Sequence, residues 1–333
     1  MRVLVTGASG MLGRGVATVL RDRGEDVVTL QRRPSGIPGV RDVAGSLTDP
    51  AAVARATRGA QAVVHLAAKV SMAGREEEFR AVNVGGTATL LAAARAAGVG
   101  RFVQVSSPSV AHLGTAIVGA GAGPAEPRRA RGPYARTKAA AELLALAADA
   151  SGFAVVAVRP HIVWGPGDTQ LVARIVDRCR RGRMPILDDG AALVDTTYID
   201  NAVDAIVAAL DRAEKRAVRG CAFVVTNGEP RPIAELIDGF ARAHDAPAPT
   251  LRLPGAVARA AGAVVEAVWA VAPGHDEPPM TRFLAEQLST AHWFDLTATR
   301  RALSWTPRVG IEEGFARLRR AYLADPGRPS LNR

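Results

Sequence analysis

Cysteine is nearly absent from this chain: Cys179 and Cys221 are the only two among 333 residues. They show neither Cys-x-x-Cys nor metal-ligand spacing, so no disulfide framework and no metal site are expected. Two reduced, packed thiols in a reducing compartment are the simpler reading. Aromatic residues make up 5% of the chain, too few to interleave with its basic residues. The formal charge of +10 is spread along the sequence as arginine, and without a recognised binding motif it argues against nucleic acid as a partner. Long apolar runs are missing too. The most apolar stretch, Leu253 to Pro273, is broken by Arg259, Glu266 and glycines, which argues against a bilayer span. It reads as a helix packed over a substrate cleft, with peripheral membrane contact as the second reading. No charged leader precedes Met1-Arg-Val-Leu-Val5, so a cytoplasmic protein is expected.

What is present is an α/β rhythm. Short apolar runs at Val3–Val5, Asp26–Leu30, Ala62–Leu66, Phe102–Ser106 and Ala154–Val158 alternate with helical patterns at Met11–Arg23, Pro50–Arg58, Gly86–Ala97 and Tyr134–Ala148. This predicts a Rossmann-type doubly wound parallel sheet over residues 1–165. After Pro160 the alternation weakens, and helices are expected at Leu171–Arg181, Ile199–Leu210, Ile233–His244 and Met280–Leu288. These form a smaller, mostly helical substrate lobe over residues 166–330, partly interleaved with the sheet. Gly114 to Gly132 is rich in Gly, Pro and Arg and has no period, which predicts a mobile loop at the mouth of the site, placed to act as a lid.

Thr6-Gly-Ala-Ser-Gly-Met-Leu-Gly13 follows the first strand and opens the first helix. In that context Gly7, Gly10 and Gly13 let the backbone approach a pyrophosphate whose charge meets the helix N-terminus. The second strand ends before Gln31-Arg32-Arg33, where an acid would accept the adenosine ribose hydroxyls. A guanidinium there suits a 2′-phosphate instead, so NADP(H) is expected in preference to NAD(H). The alternative is two solvated loop charges.

Tyr134-Ala-Arg-Thr-Lys138 stands out because the chain has only three Tyr and three Lys. The spacing sets both side chains on one helical face. Tyr134 can then donate a proton to a substrate oxygen as hydride moves to the adjoining carbon; its phenol, ordinarily with a pKa of about 10, is expected to be acidified by the positive charge of Lys138 and of the oxidised nicotinamide, and Lys138 also to hold the nicotinamide ribose. Ser107, at the end of a strand, can hydrogen-bond the same carbonyl. Asn83, ahead of a helix, either holds a water in a proton relay or caps the helix.

These motifs, with His65-Leu-Ala-Ala68 and Asn83-Val-Gly-Gly-Thr87, resemble the extended short-chain dehydrogenase/reductases along nearly the whole chain. Val105-Ser-Ser-Pro-Ser-Val110 and Arg159-Pro-His-Ile-Val-Trp-Gly-Pro-Gly-Asp168 are similar to the 3β-hydroxysteroid dehydrogenase branch. Asn227-Gly-Glu-Pro230 and Pro278 to Leu288, followed by His292-Trp293, resemble the bacterial 2-alkyl-3-oxoalkanoate reductases of long-chain olefin formation. The resemblance implies Ser107, Tyr134 and Lys138 as catalytic residues, with Asn83 in support. It further implies that Thr6, Met11, Leu12, Leu47, Ala67, Ala68, Pro160 and Val163 join the glycines and arginines around the cofactor, and that Ser109 and Trp164 face the substrate; His161, where the family varies, either faces the substrate as well or is a satisfied core histidine, the more frequent case. The expected substrate is an acidic, lipid-like molecule, and a homodimer and association with other pathway enzymes are expected. Ser46 departs from the family's usual aspartate, leaving backbone groups of Leu47 to meet the adenine. Oxidation of a 3β-hydroxysteroid or sterol carboxylate uses the same three residues. An NDP-sugar epimerase requires a more polar pocket, and an NADP-sensing protein usually lacks the Tyr and Lys.

Overall fold

The computed structural model describes residues 1–71, 74–271 and 281–325. Pro278 to Met280, part of one of the motifs above, lie outside the described residues. Seven parallel strands form the central sheet in the order Ala222–Val225, Ala154–Pro160, Arg101–Val105, Ala62–His65, Arg2–Thr6, Asp26–Gln31 and Arg41–Ala44. Alternation along each strand divides its side chains between two helical layers. Val3, Val5, Val64, Val103 and Val156 enter one core with Val16, Leu20, Val203 and Ile206 from helices Met11–Asp22 and Ile199–Arg212. Leu4, Val63, Phe102 and Val155 enter the other with Val53, Leu90 and Ala145 from helices Pro50–Thr57, Gly86–Ala96 and Gly132–Ala147. Both faces are covered, which is why the strands read as nearly continuous apolar runs.

Strand order reverses at Arg2–Thr6, flanked by Ala62–His65 and Asp26–Gln31. In an open parallel sheet that reversal leaves a crevice at the carboxyl edge. Gly7, Arg32, Ala67, Ser107 and His161 all follow the last residues of sheet strands, so they gather along this edge.

The expected elements of the second half are present with shifted ends: Val172–Arg180, Ile199–Arg212, Ile233–Ala243 and Arg282–Ser289. Helices Thr297–Leu303 and Ile311–Ala324 had not been expected. Strand Ala222–Val225 returns from this half to pair with Ala154–Pro160.

Two expectations are corrected. The aperiodic segment from Gly114 to Gly132 is not wholly loop, because Ile117–Ala120 forms an edge strand paired with His292–Phe294 in a second, four-stranded sheet. Of the two free thiols, Cys179 is packed but Cys221 is exposed, since it lies just ahead of the strand that completes the central sheet.

Helix Gly255–Val271 packs Ala258 against Ala285 and Leu187 and leaves Val257, Val264 and Val268 exposed. No helix among the described residues is long and apolar enough to cross a membrane.

Candidate active site

The first turn of helix Met11–Asp22 has no side-chain cap, so its amide groups remain available to an anion. Gly7 adopts φ 79°, and a Cβ there would meet the Ala67 amide nitrogen at 2.8 Å. A Cβ on Gly13 would overlap the Gly7 carbonyl. Protein packing therefore requires both glycines. Gly10 is different: the nearest protein atom to its Cβ would be at an ordinary 3.5 Å, so protein packing does not require a glycine there, and its bare backbone leaves the helix N-terminus open to a ligand. The turn fits a dinucleotide pyrophosphate on these grounds.

A buried chain of hydrogen bonds runs from this turn to the tyrosine helix. Thr6 Oγ1 lies 2.7 Å from His65 Nδ1 and accepts from the Ala67 amide at 3.1 Å. His65 Nε2 lies 3.0 Å from Thr87 Oγ1, which donates to the Asn83 carbonyl at 2.6 Å. Asn83 Oδ1 accepts from the Lys69 amide at 2.7 Å, and its Nδ2 donates to Thr137 Oγ1 at 3.1 Å. Thr137 in turn donates to the Pro133 carbonyl at 2.7 Å. Asn83 lies in a π-helical turn, Arg80–Gly85, and makes no side-chain cap. Its amide ties Lys69 to Thr137. Thr6 likewise turns its hydroxyl inward and holds the backbone of Ala67.

Helix Gly132–Ala147 starts with Pro133 near its N-terminus and is rich in alanine, which favours a regular helix with Tyr134, Lys138 and Glu142 four residues apart on one face. Lys138 Nζ donates to the Val105 carbonyl at 2.6 Å. Glu142 accepts from Arg159 Nε at 2.9 Å in a fully buried ion pair. The same guanidinium donates to the carbonyls of Ala122 and Gly123, so the helix, the strand Ala154–Pro160 and the Gly114–Gly132 segment are pinned together. Burial lowers the Lys138 ammonium to about 8, opposed by the charge of Glu142. Contrary to the expected acidification, burial raises the Tyr134 phenol to about 12, opposed by a hydrogen bond with Ser107.

Ser107 caps a short 3-10 turn, accepting from the Ser109 amide at 3.3 Å and its hydroxyl at 3.0 Å. Ser107, Ser109, Tyr134 and His161 line one cavity of about 160 Å³. A second cavity of about 340 Å³ shares Pro108, Ile117 and Phe294 with it.

Trp164 does not belong to this site. It is fully buried, stacked on Phe315 at 5.2 Å between centroids and edge-on to Tyr198 and Phe240, with Nε1 donating to Thr196 Oγ1 at 2.8 Å. An indole with its one donor satisfied inside an aromatic cluster is core. Met11, Leu12, Ala67, Ala68 and Val163 are half-buried near the carboxyl edge, Pro160 is buried at the end of its strand, and the Leu47 side chain packs under Gly86. Gln31 turns inward to Asp42, whereas Arg32 and Arg33 are exposed with no hydrogen-bond or ion-pair partner among the described residues.

The cavity also contains residues not singled out from sequence: His112, Ile117 and Phe294, together with Gln287 and His292, noted only within motifs. His292 and Phe294 come from one strand and Ile117 from its partner, so their convergence depends on a pairing with no local signature. The Glu142–Arg159 pair did have a signal: one acid in an otherwise apolar stretch of helix, four residues after Lys138.

Residues 3–224 match the NAD dependent epimerase/dehydratase family. The chain is 41% identical over 330 residues to the 2-alkyl-3-oxoalkanoate reductase of Stenotrophomonas maltophilia strain K279a, covering 97% of this chain and 100% of that protein. It is 31% identical to the 3 beta-hydroxysteroid dehydrogenase/Delta 5-->4-isomerase of Mycobacterium tuberculosis strain H37Rv, over 94% of this chain and 88% of that protein. Among solved structures it resembles a double mutant of the dTDP-glucose 4,6-dehydratase DesIV from Streptomyces venezuelae, determined with NAD bound, with a TM-score of 0.75, 26% identity and 98% of each chain covered.

Proposed function

The chain belongs to the NAD dependent epimerase/dehydratase family, the extended short-chain dehydrogenase/reductases, and from that premise we propose that it reduces the 3-keto group of a 2-alkyl-3-oxoalkanoate to the 3-hydroxy acid. It is an NAD(P)-dependent oxidoreductase. The observation that carries the ketone-reduction reading within the molecule is the cavity in which the Ser107 and Tyr134 hydroxyls meet, with Lys138 held one helical turn away. A bound dihydronicotinamide supplies the hydride. Tyr134 gives its proton to the keto oxygen, and a phenol held near 12 stays protonated at neutral pH, as reduction requires. Lys138, still largely charged at neutral pH, stabilises the phenolate that results. Ser107 donates to the keto oxygen and fixes it against the tyrosine. Asn83 acts here as a positioning residue, since its amide is engaged with Lys69 and Thr137.

The cofactor is read as NADP(H). Support comes from the two exposed guanidiniums of Arg32 and Arg33 and from Gln31 in place of an acid. In the same reading residues 1–165 hold the dinucleotide and 166–330 shape the substrate side. A homodimer and contact of the Val257, Val264 and Val268 face with a lipid surface complete the proposal.

The neighbouring cavities suit a branched acid whose head group lies at Tyr134 and whose alkyl chains leave past Pro108, Ile117 and Phe294. Purified protein with NADPH or NADH and a synthetic 2-alkyl-3-oxoalkanoate, beside a 3β-hydroxysteroid with the oxidised cofactors, provides the test. Loss of the nicotinamide absorbance with the oxo acid is expected. Turnover of the steroid alone would replace this reading with the hydroxysteroid one.

A further inference from the structure

One wall of the Tyr134 cavity is built from His112, His161 and His292, to which the chemistry above gives no part. The rings of His112 and His292 meet edge to face at 4.9 Å, and those of His161 and His292 lie 6.1 Å apart. All three are more than nine-tenths buried: His112 1%, His161 6% and His292 1% exposed. They do not form a metal-holding group with other His, Cys, Asp or Glu among the described residues.

Hydrogen bonding fixes two of the tautomers. His161 Nδ1 lies 2.7 Å from the Asp195 carbonyl, which can only accept, so Nδ1 carries the proton and Nε2 is a lone pair in the neutral ring. His292 Nε2 lies 3.1 Å from Thr290 Oγ1, whose single proton is committed to the Glu286 carbonyl at 2.7 Å. Nε2 must therefore donate to the hydroxyl. His292 Nδ1 is left as a buried lone pair with no partner. Burial depresses His161 to about 4 and His292 to about 3, and it also lowers His112, so the resting rings are neutral, and the remaining ring nitrogens of His161 and His292 are acceptors.

A buried lone pair without a partner on His292, beside the acceptor nitrogen of His161, in a site that takes an acid calls for a proton as well as the anion. A carboxylate entering this cavity loses water, a cost that a hydrogen-bonded imidazolium beside it reduces. The charges that face the wall act in both directions. Against the effect of burial, Glu286 favours a proton on His112 and Arg131 opposes it; Glu286 is itself held by Arg282 at 3.2 Å and lies 3.9 Å from Arg131. Asp195, raised to about 6 by burial, is bonded by Thr226 Oγ1 and the Gly228 and Glu229 amides. Gln287 adds an amide to the cavity lining.

We propose that His112, His161 and His292 form the carboxylate subsite of this cavity, and that the acid binds there together with one proton taken up from solvent. This rests on the reductase reading, which places the keto oxygen at Ser107 and Tyr134. The proton passes from a solvent oxygen to an imidazole nitrogen, forming the N–H bond of an imidazolium; the carboxylate stays ionised and no bond within the substrate changes. A 3-oxo acid loses CO2 most readily when its own carboxyl proton bridges to the keto oxygen, so keeping the proton on nitrogen also protects the substrate until it is reduced.

Calorimetry on the full chain with NADPH, which cannot exchange hydride with a hydroxy acid, at about pH 7.5 and in two buffers of different ionisation heat, tests this with the 2-alkyl-3-hydroxyalkanoate and its methyl ester as probes. The acid is expected to bind with uptake of about one proton, and the ester with none. The His161→Gln/His292→Gln double variant, and separately His292→Phe, should lose the uptake and cut the preference for acid over ester by about tenfold to a hundredfold, while still binding NADPH as evidence of folding. Acid binding without proton uptake in the wild type, or an undiminished preference in both variants, would overturn the subsite. NADPH oxidation with the 3-oxo acid is scored separately. Proton-coupled binding without turnover would support the subsite and sink the reductase reading instead.

Discussion

The glycine turn at residues 7–13 and the histidine wall lie at the carboxyl edge of the same sheet but are assembled in opposite ways. The turn is contiguous, and its shape follows from backbone sterics: φ 79° at Gly7, and a Gly13 too close to the Gly7 carbonyl for any side chain. The wall draws His112 from a loop, His161 from the end of a sheet strand and His292 from a strand of another sheet. Its order comes from side-chain bonds to Asp195 and Thr290. A feature made of adjacent backbone can be read along the chain, whereas one made of distant side chains takes its chemistry from neighbours that only folding supplies.

Three experiments sharpen that contrast. Tyr134→Phe keeps the cavity and removes its proton donor, so turnover should fall by about 10²–10⁴ while cofactor binding to the glycine turn persists. Steady-state rates with a cofactor titration check this, and full activity would remove Tyr134 from the reaction.

Acid titration compares the two regions in one measurement. His65, behind the glycine turn, is lowered to about 3 by burial and the Lys138 charge, beside about 4 for His161 and about 3 for His292 in the wall. Folded-state values below the unfolded one of about 6.5 contribute stability that is complete above about 6.5 and is lost as pH falls through them. Near pH 5 each histidine should therefore steepen the loss by about 1.4 kcal/mol per pH unit. Denaturant titrations should show His65→Asn removing about one such increment and a His161/His292 double variant about two. Unchanged slopes would mean that these rings titrate alike in the folded and unfolded chains.

The smallest effect is expected on the cofactor side. Arg32→Ala should weaken NADPH binding about tenfold and leave NADH unaffected, as measured by fluorescence titration. Equal losses for both cofactors would make Arg32 a general charge and not a reader of the 2′-phosphate.

Most of the first half was legible in the sequence, for a reason visible in particular residues. Val3, Leu4 and Val5 must each be buried, and alternation sends them to opposite layers, so the strand announces itself. Ile117–Ala120 did not, because an edge strand whose residues alternate between half-buried and exposed needs few apolar side chains and is stabilised by its pairing with His292–Phe294. Trp164 was misread for a related reason: its place beside the site motif says nothing about Phe240 and Phe315, which close over it from remote helices.

By itself the sequence determined the parallel sheet, the glycine turn and the Tyr134/Lys138 helical face. Each depends on spacing within one or two turns of chain, where backbone geometry leaves little choice. Only the tertiary structure decided which side chains share the cavity with Tyr134, that Glu142 and Arg159 form a buried pair, and that the histidines present lone pairs. Those properties depend on desolvation and on hydrogen-bond partners far away in sequence, and neither exists until the chain has folded.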